Sequence, residues 1–239
     1  MTQTPTVGSF VANDYRTAAV FQKYGIDFCC KGGRTIEEVC EKKNIEAGQL
    51  LNELEAISKK PDGQVADFQF WPLDQLADHI EKKHHRYIEQ STPPLKQFFE
   101  KLCKVHGPQH PELFEIHKEF NAAADELALH MIKEEMVLFP FIRTMASNSF
   151  DPENTDRSRF GTVQNPIRMM MHEHDVEGDR FRKMAELSSN YTPPADACNT
   201  YRVAYALLKE FEDDLHLHIH LENNILFPKA IEMEKELMG

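Results

Sequence analysis

Two stretches decide how this chain reads: HMIKEEMVLFP at residues 130–140 and HIHLENNILFP at residues 218–228. Both spell H-x-x-x-E-x-x-x-L-F-P. Residues four apart on an α-helix lie about one turn up and roughly 40° round. His130 and Glu134 therefore point the same way, and so do His218 and Glu222. Both pairs fall on apolar stripes, with Leu113, Phe120, Leu127, Leu138 and Phe141 around the first and Leu208, Leu215, Ile225 and Leu226 around the second. Imidazole and carboxylate are thus aimed into a core, where an unpaired charge is costly. A metal ion would neutralise the carboxylates and occupy the imidazoles. One histidine on an apolar face is more often a satisfied core residue, and a single H-x-x-x-E is common on exposed helices. The repetition is much harder to obtain by accident.

Working outward, the chain from Trp71 onward reads as four long helices. They cover about 72–105, with a kink expected at Pro93 and Pro94, then 111–146, 163–189 and 196–237. A polar loop at 147–162 separates the second from the third, and Thr192, Pro193 and Pro194 separate the third from the fourth. No strand alternation is evident. The expected fold is all-α, an antiparallel four-helix bundle. His174 shares a face of the third helix with Ile167, Met170, Phe181 and Met184. The first helix offers the doublet His84 and His85, of which at least one should point inward. By periodicity His84 lies nearer the stripe of Leu73, Ile80 and Tyr87. The interval from His85 to His130 is 45 residues and that from His174 to His218 is 44, so the halves keep nearly one register. Four histidines and two glutamates then converge from four helices. Nitrogen and oxygen donors without sulfur suit iron or manganese, and no H-E-x-x-H favours zinc. His216 and His220 sit off the stripe and are expected in solvent, as is His172. His79 is expected behind the site, and Glu135, Glu173 and Asp175 are nearby acids for proton movement.

The segment in front reads as a small helical domain, residues 1–62, with the bundle domain at 70–239 and a linker at about 60–70. A helix is expected at Phe10–Lys23. A turn comes next that holds Cys29, Cys30, Gly32 and Gly33, and Thr35 then caps a helix with Glu38 at capping-box spacing. A third helix is expected at Glu46–Lys59, with Leu50, Leu51, Leu54 and Ile57 as its stripe.

Composition narrows the class. The chain has 239 residues, 41% hydrophobic and 28% charged, which reads as globular. A net charge of -12 repels phosphate backbones, so nucleic acid is not an expected partner. No apolar run approaches the roughly 20 residues that span a bilayer, and residues 1–10 lack the features of a signal peptide. The expected location is the cytoplasm. Five irregularly spaced cysteines do not form a disulfide framework and fit a reducing compartment. Cys40, Cys103 and Cys198 read as structural.

The two repeated elements resemble those of hemerythrin-like (HHE cation-binding) domains. The front segment YGIDFCCKGG, residues 24–33, resembles the N-terminal domain of the repair of iron centres (RIC) di-iron proteins. The resemblance spans nearly the whole chain in the right order. It implies an oxo- and carboxylate-bridged pair of iron ions held by His85, His130, Glu134, His174, His218 and Glu222, with the two glutamates bridging. It places the first-helix ligand on His85, where periodicity favours His84. It implies repair of iron–sulfur clusters damaged by nitric oxide or oxidants, through iron donation or nitric oxide reduction, with Cys29 and Cys30 in a thiol role. Damaged iron–sulfur proteins would be its partners, nitric oxide or oxygen its small ligands, and a monomer or homodimer its state. An oxygen- or redox-sensing module and a nitric oxide reductase are the alternatives. Oxygen-carrying hemerythrins show H-x-x-x-H in the third helix. Here the position four after His174 is Gly178, so an open coordination position is expected.

Overall fold

In the computed structural model, residues 5–58, 67–147 and 161–238 are described. The first helical rod comprises α5 (Leu73–His79), a π-turn at Ile80–His85 and α6 (Arg86–His106). The second comprises α7 (Glu112–Lys133), a π-turn at Glu134–Leu138 and α8 (Phe139–Ala146). The third is the uninterrupted α9 (Gln164–Leu187). The fourth comprises α10 (Asn199–Leu221), a π-turn at Glu222–Leu226 and α11 (Phe227–Met238). The expected all-α bundle is thus present, and no named strand occurs among the described residues.

The wide turns stem from the repeated L-F-P. Proline offers no N–H, and its ring crowds the carbonyl four residues back. Immediately upstream, Phe139 N–H reaches the Glu134 carbonyl and Phe227 N–H reaches the Glu222 carbonyl, five residues back in each case. Each turn therefore holds one extra residue, and each begins at a glutamate of the repeat. The first rod is irregular at 80–85 and not at the proline pair, through which α6 runs continuously. The carbonyls deprived of donors by Pro93 and Pro94 belong to the exposed Glu89 and Gln90, where water can serve them.

Two apolar layers fill the bundle. One gathers Phe99, Phe120, Phe181, Phe211 and Tyr205. The other gathers Leu76, Ile80, Phe139, Ile142, Ile167, Leu226 and Phe227. Along every rod the change from one layer to the other falls at the predicted histidines. Burying a Phe or Leu side chain contributes about 1.5–3 kcal/mol, so these layers hold the polar residues between them in place.

The front segment is helical too. It has α1 (Val7–Asn13), a 3₁₀ turn (Tyr15–Thr17), α2 (Ala18–Lys23), α3 (Ile36–Lys43) and α4 (Ala47–Ser58). The single helix expected at Phe10–Lys23 is broken, because Asp14 leaves the helical region and its carboxylate accepts from Arg16 N–H. The Thr35 capping box forms as read, with Glu38 answering the Thr35 N–H at 2.8 Å. Val7, Phe21, Phe28, Leu50 and Leu54 join the same apolar layer as Phe99 and Phe211. Leu51 is instead exposed. Most of the expected linker and of the 147–162 loop lies outside the described residues.

Candidate metal centre

Each π-turn or its edge delivers a polar side chain to the junction of the two layers. His85, His130, Glu134, His174, His218 and Glu222 are all at most 2% exposed. They form two groups that share both carboxylates: His85 and His218 with Glu134 and Glu222, and His130 and His174 with the same two glutamates. The sharing is by oxygen. Glu134 turns Oε2 to His85 Nε2 and Oε1 to His130 Nε2, each at 3.4 Å. Glu222 turns Oε1 to His218 Nε2 at 3.0 Å and Oε2 to His174 Nε2 at 3.1 Å.

Electrostatics make this arrangement unsatisfied without a cation. His130 Nδ1 meets Glu173 Oε2 at 2.7 Å, and His174 Nδ1 meets Asn223 Oδ1 at 2.9 Å. Both acceptors fix the proton on Nδ1 and leave Nε2 bare. Yet the two Nε2 atoms face each other at 3.0 Å. Two lone pairs repel at that distance unless a proton or a metal ion lies between them. Burial opposes charge on the ring, but Glu134 and Glu173 carry His130 up to about 10, so a proton can take that place where no metal does. Neither oxygen of Glu134 nor Oε2 of Glu222 accepts a hydrogen bond, and His85 Nε2 has no donor or acceptor. Buried polar atoms are rarely left so. Nitrogen and oxygen donors, two shared carboxylates and paired imidazoles fit two cations of the iron or manganese kind.

Behind these side chains lie acceptors that hold the rings. Glu135 Oε1 takes His85 Nδ1 at 2.9 Å. Glu173 is held at about 2 by its bond to His130 and by Lys133. His218 differs, because its Nδ1 is buried with no partner and its ring stacks on His84 at 5.8 Å. Glu135 and Glu173, read only as nearby acids, therefore have the specific task of orienting imidazoles. Asn223 was missed by sequence reasoning; its place directly after Glu222 was the only signal.

The π-turn explains the histidine doublet. Periodicity at 3.6 residues per turn favours His84, but a wide turn rotates the helix beyond it. Both rings are buried, and His85 joins the glutamates while His84 Nδ1 pairs with Asp214 Oδ1 at 3.0 Å. His220 corrects an expectation. It is buried rather than solvated, beneath Tyr15 and Phe28 of the front segment, and burial lowers it to about 3. His216 is half-buried beside Phe28, and His172 is exposed as expected.

The front segment brings its cysteines to this centre. Cys30 Sγ donates to the His174 carbonyl at 3.3 Å, and Cys29 Sγ lies 3.7 Å from Cys30 Sγ. Gly178 does leave space, but the Cys30 sulfur occupies it: a Cβ there would sit 2.9 Å from Sγ. The glycine therefore admits a thiol beside the His174 carbonyl. On the flank between α7 and α9, a cavity of about 120 Å³ is lined by Glu126, Leu129, His130, Lys133, Glu173, His174 and Glu177. Burial raises the Glu177 carboxyl to about 7.

Comparison with known proteins agrees with this geometry. Residues 76–230 match the family model described as hemerythrin HHE cation binding domain, and residues 3–58 match a domain of unknown function, DUF542. The iron-sulfur cluster repair protein YtfE of Musicola paradisiaca (strain Ech703) is 34% identical over 219 residues, 92% of each chain. The protein of the same name from Yersinia pestis (strain Pestoides F) is 35% identical over 92% of this chain and 93% of its own.

Proposed function

This chain belongs to the hemerythrin HHE cation-binding family, in the group of iron–sulfur cluster repair proteins that carry a DUF542 domain in front, and from that premise we propose that it repairs damaged iron–sulfur clusters with a pair of iron ions. The ligands in this reading are His85, His130, Glu134, His174, His218 and Glu222, with both glutamates bridging. The observation that carries it is the division of each carboxylate between two histidine pairs. When bound, the iron pair and its oxo bridge supply electron transfer and exchange of small ligands.

The protein's own residues do the rest. Glu135, Glu173 and Asn223 hold three imidazoles by their Nδ1–H groups, which keeps each Nε2 free for a metal. The apolar layers exclude bulk water and strengthen the pull of each carboxylate. The cavity between α7 and α9 gives nitric oxide or oxygen a way in, and Glu177 there holds or yields a proton near neutral pH. The thiol role falls to Cys29 and Cys30, whose sulfurs lie beside the backbone of His174, and clients are damaged iron–sulfur proteins. Five free cysteines suit the reducing cytoplasm. Among the described residues, no helix is long and apolar enough to cross a membrane.

The decisive experiment is Mössbauer spectroscopy with iron quantitation on anaerobically purified protein, followed by reactivation of a nitric-oxide-damaged cluster enzyme. A coupled iron pair and restored enzyme activity are expected. If protein with both His130→Ala and Glu134→Ala restores the enzyme equally well, the reading is wrong.

A further inference from the structure

Asn223 makes two bonds that join the front segment to the centre. Its Oδ1 accepts from His174 Nδ1–H at 2.9 Å, and its Nδ2 donates to the Cys29 carbonyl at 3.2 Å. The residue is 8% exposed, so water does not compete for either bond. The neighbouring Asn224 fastens the same turn by donating to the Phe28 carbonyl at 3.1 Å. Cys30 closes the loop from the other side, with its thiol on the His174 carbonyl. His174 is thus held at ring and backbone by one turn, and Cys30 fits there only because Gly178 has no side chain.

We infer that Asn223 is a positioning residue that makes the pose of His174 depend on the chemical state of the Cys29–Cys30 turn. The Cys30 sulfur already fills the space against α9, since a Cβ on Gly178 would sit 2.9 Å from it. A group added to that sulfur displaces it from α9 and lifts the turn with it. The Cys29 carbonyl then leaves Asn223, the amide loses its anchor, and His174 Nδ1 loses a fixed acceptor. A histidine freed from its outer hydrogen bond binds metal less tightly. The site on the His130–His174 side therefore loosens when Cys30 is modified, while the His85–His218 side keeps its grip. This rests on the six-ligand reading above.

The test uses the full chain with Cys198→Ser, loaded anaerobically with iron(II), and follows iron release to a chelator before and after iodoacetamide. In that reaction an S–C bond forms, the C–I bond breaks, iodide leaves and the thiol proton goes to solvent. Peptide mass mapping verifies that Cys30 is the carrier. Release from one of the two sites should quicken about tenfold or more. Gly178→Ala should mimic the modification without any reagent. Asn223→Leu should release fast in every state. Asn223→Asp keeps an acceptor for His174 but cannot donate to Cys29, so its release should already be fast and should ignore both iodoacetamide and Gly178→Ala. The inference is overturned if Asn223→Asp responds as the parent does, or if neither perturbation changes release from the parent. Failure of the ligand reading looks different: the parent would then bind no stoichiometric iron. Circular dichroism of each variant separates either result from unfolding.

Discussion

Because each carboxylate serves both histidine pairs, the six predicted ligands should not be equivalent. Glu134→Gln keeps volume but removes the charge from two oxygens, one facing His85 and the other His130. His85→Gln touches only one group. Iron content should therefore fall from about two ions per chain to nearly none in Glu134→Gln, and to about one in His85→Gln. Stability should change in step. An ion present at a hundred times its dissociation constant adds about 2.7 kcal/mol, so two add about 5 kcal/mol. For a chain of this length each kcal/mol moves the midpoint by about 2–4 °C, so metal should raise Tm by roughly 10–20 °C. His85→Gln should keep about half of that increment and Glu134→Gln almost none. Elemental analysis and scanning calorimetry with and without chelator give both numbers, and the metal-induced increment cancels any change in the metal-free protein. Equal loss in the two variants would refute the shared-carboxylate argument.

Glu173→Gln should weaken metal binding by about ten- to a hundredfold, because it removes the charge of the acceptor that fixes His130; NMR of the metal-free protein should also show His130 titrating well below about 10. Glu212 is buried and its folded value is raised from 4.5 to about 7, chiefly by burial. Its stabilising neutral form is fully present below pH 4.5 and is lost as pH rises through about 7. Glu212→Gln should therefore stabilise at pH 8 by up to about 3 kcal/mol and do nothing below pH 4.5, as read by denaturant titration; a gain confined to acid pH contradicts this. Phe211→Ala, at the meeting of Phe120, Phe181 and Tyr87, should cost about 3–5 kcal/mol, measured by urea unfolding; a loss below 1 kcal/mol would mean that the layer collapses to fill the gap.

The four rods and the convergence of six side chains were legible because their information is local. A helix repeats every 3.6 residues, and H-x-x-x-E-x-x-x-L-F-P occurs twice. What escaped reading depends on contacts from far along the chain or on departures from that period. His84 looked better placed than His85 because the count assumed no extra residue in the turn at Ile80–His85. His220 looked solvated because nothing on its own helix shows that Tyr15 and Phe28 cover it. The contact of Cys30 with Gly178 escaped reading because the two lie far apart in sequence. Asp14 broke a helix that apolar periodicity alone would have continued.

The three wide turns also give the fold a spare link. Each stores one residue more than an ordinary helical turn needs. Deleting a single residue from Ile80–His85 would let the first rod rewind into a regular spiral, with its packing beyond the excision restored. The stretches on either side keep their faces, because the wide turn had absorbed the extra residue, and only side chains within the turn change direction. A shortened chain of this kind should still fold as a bundle while one of its imidazoles faces elsewhere. Loss of metal without loss of architecture is thus one deletion away, and blind bundles of that sort are the natural neighbours of this sequence.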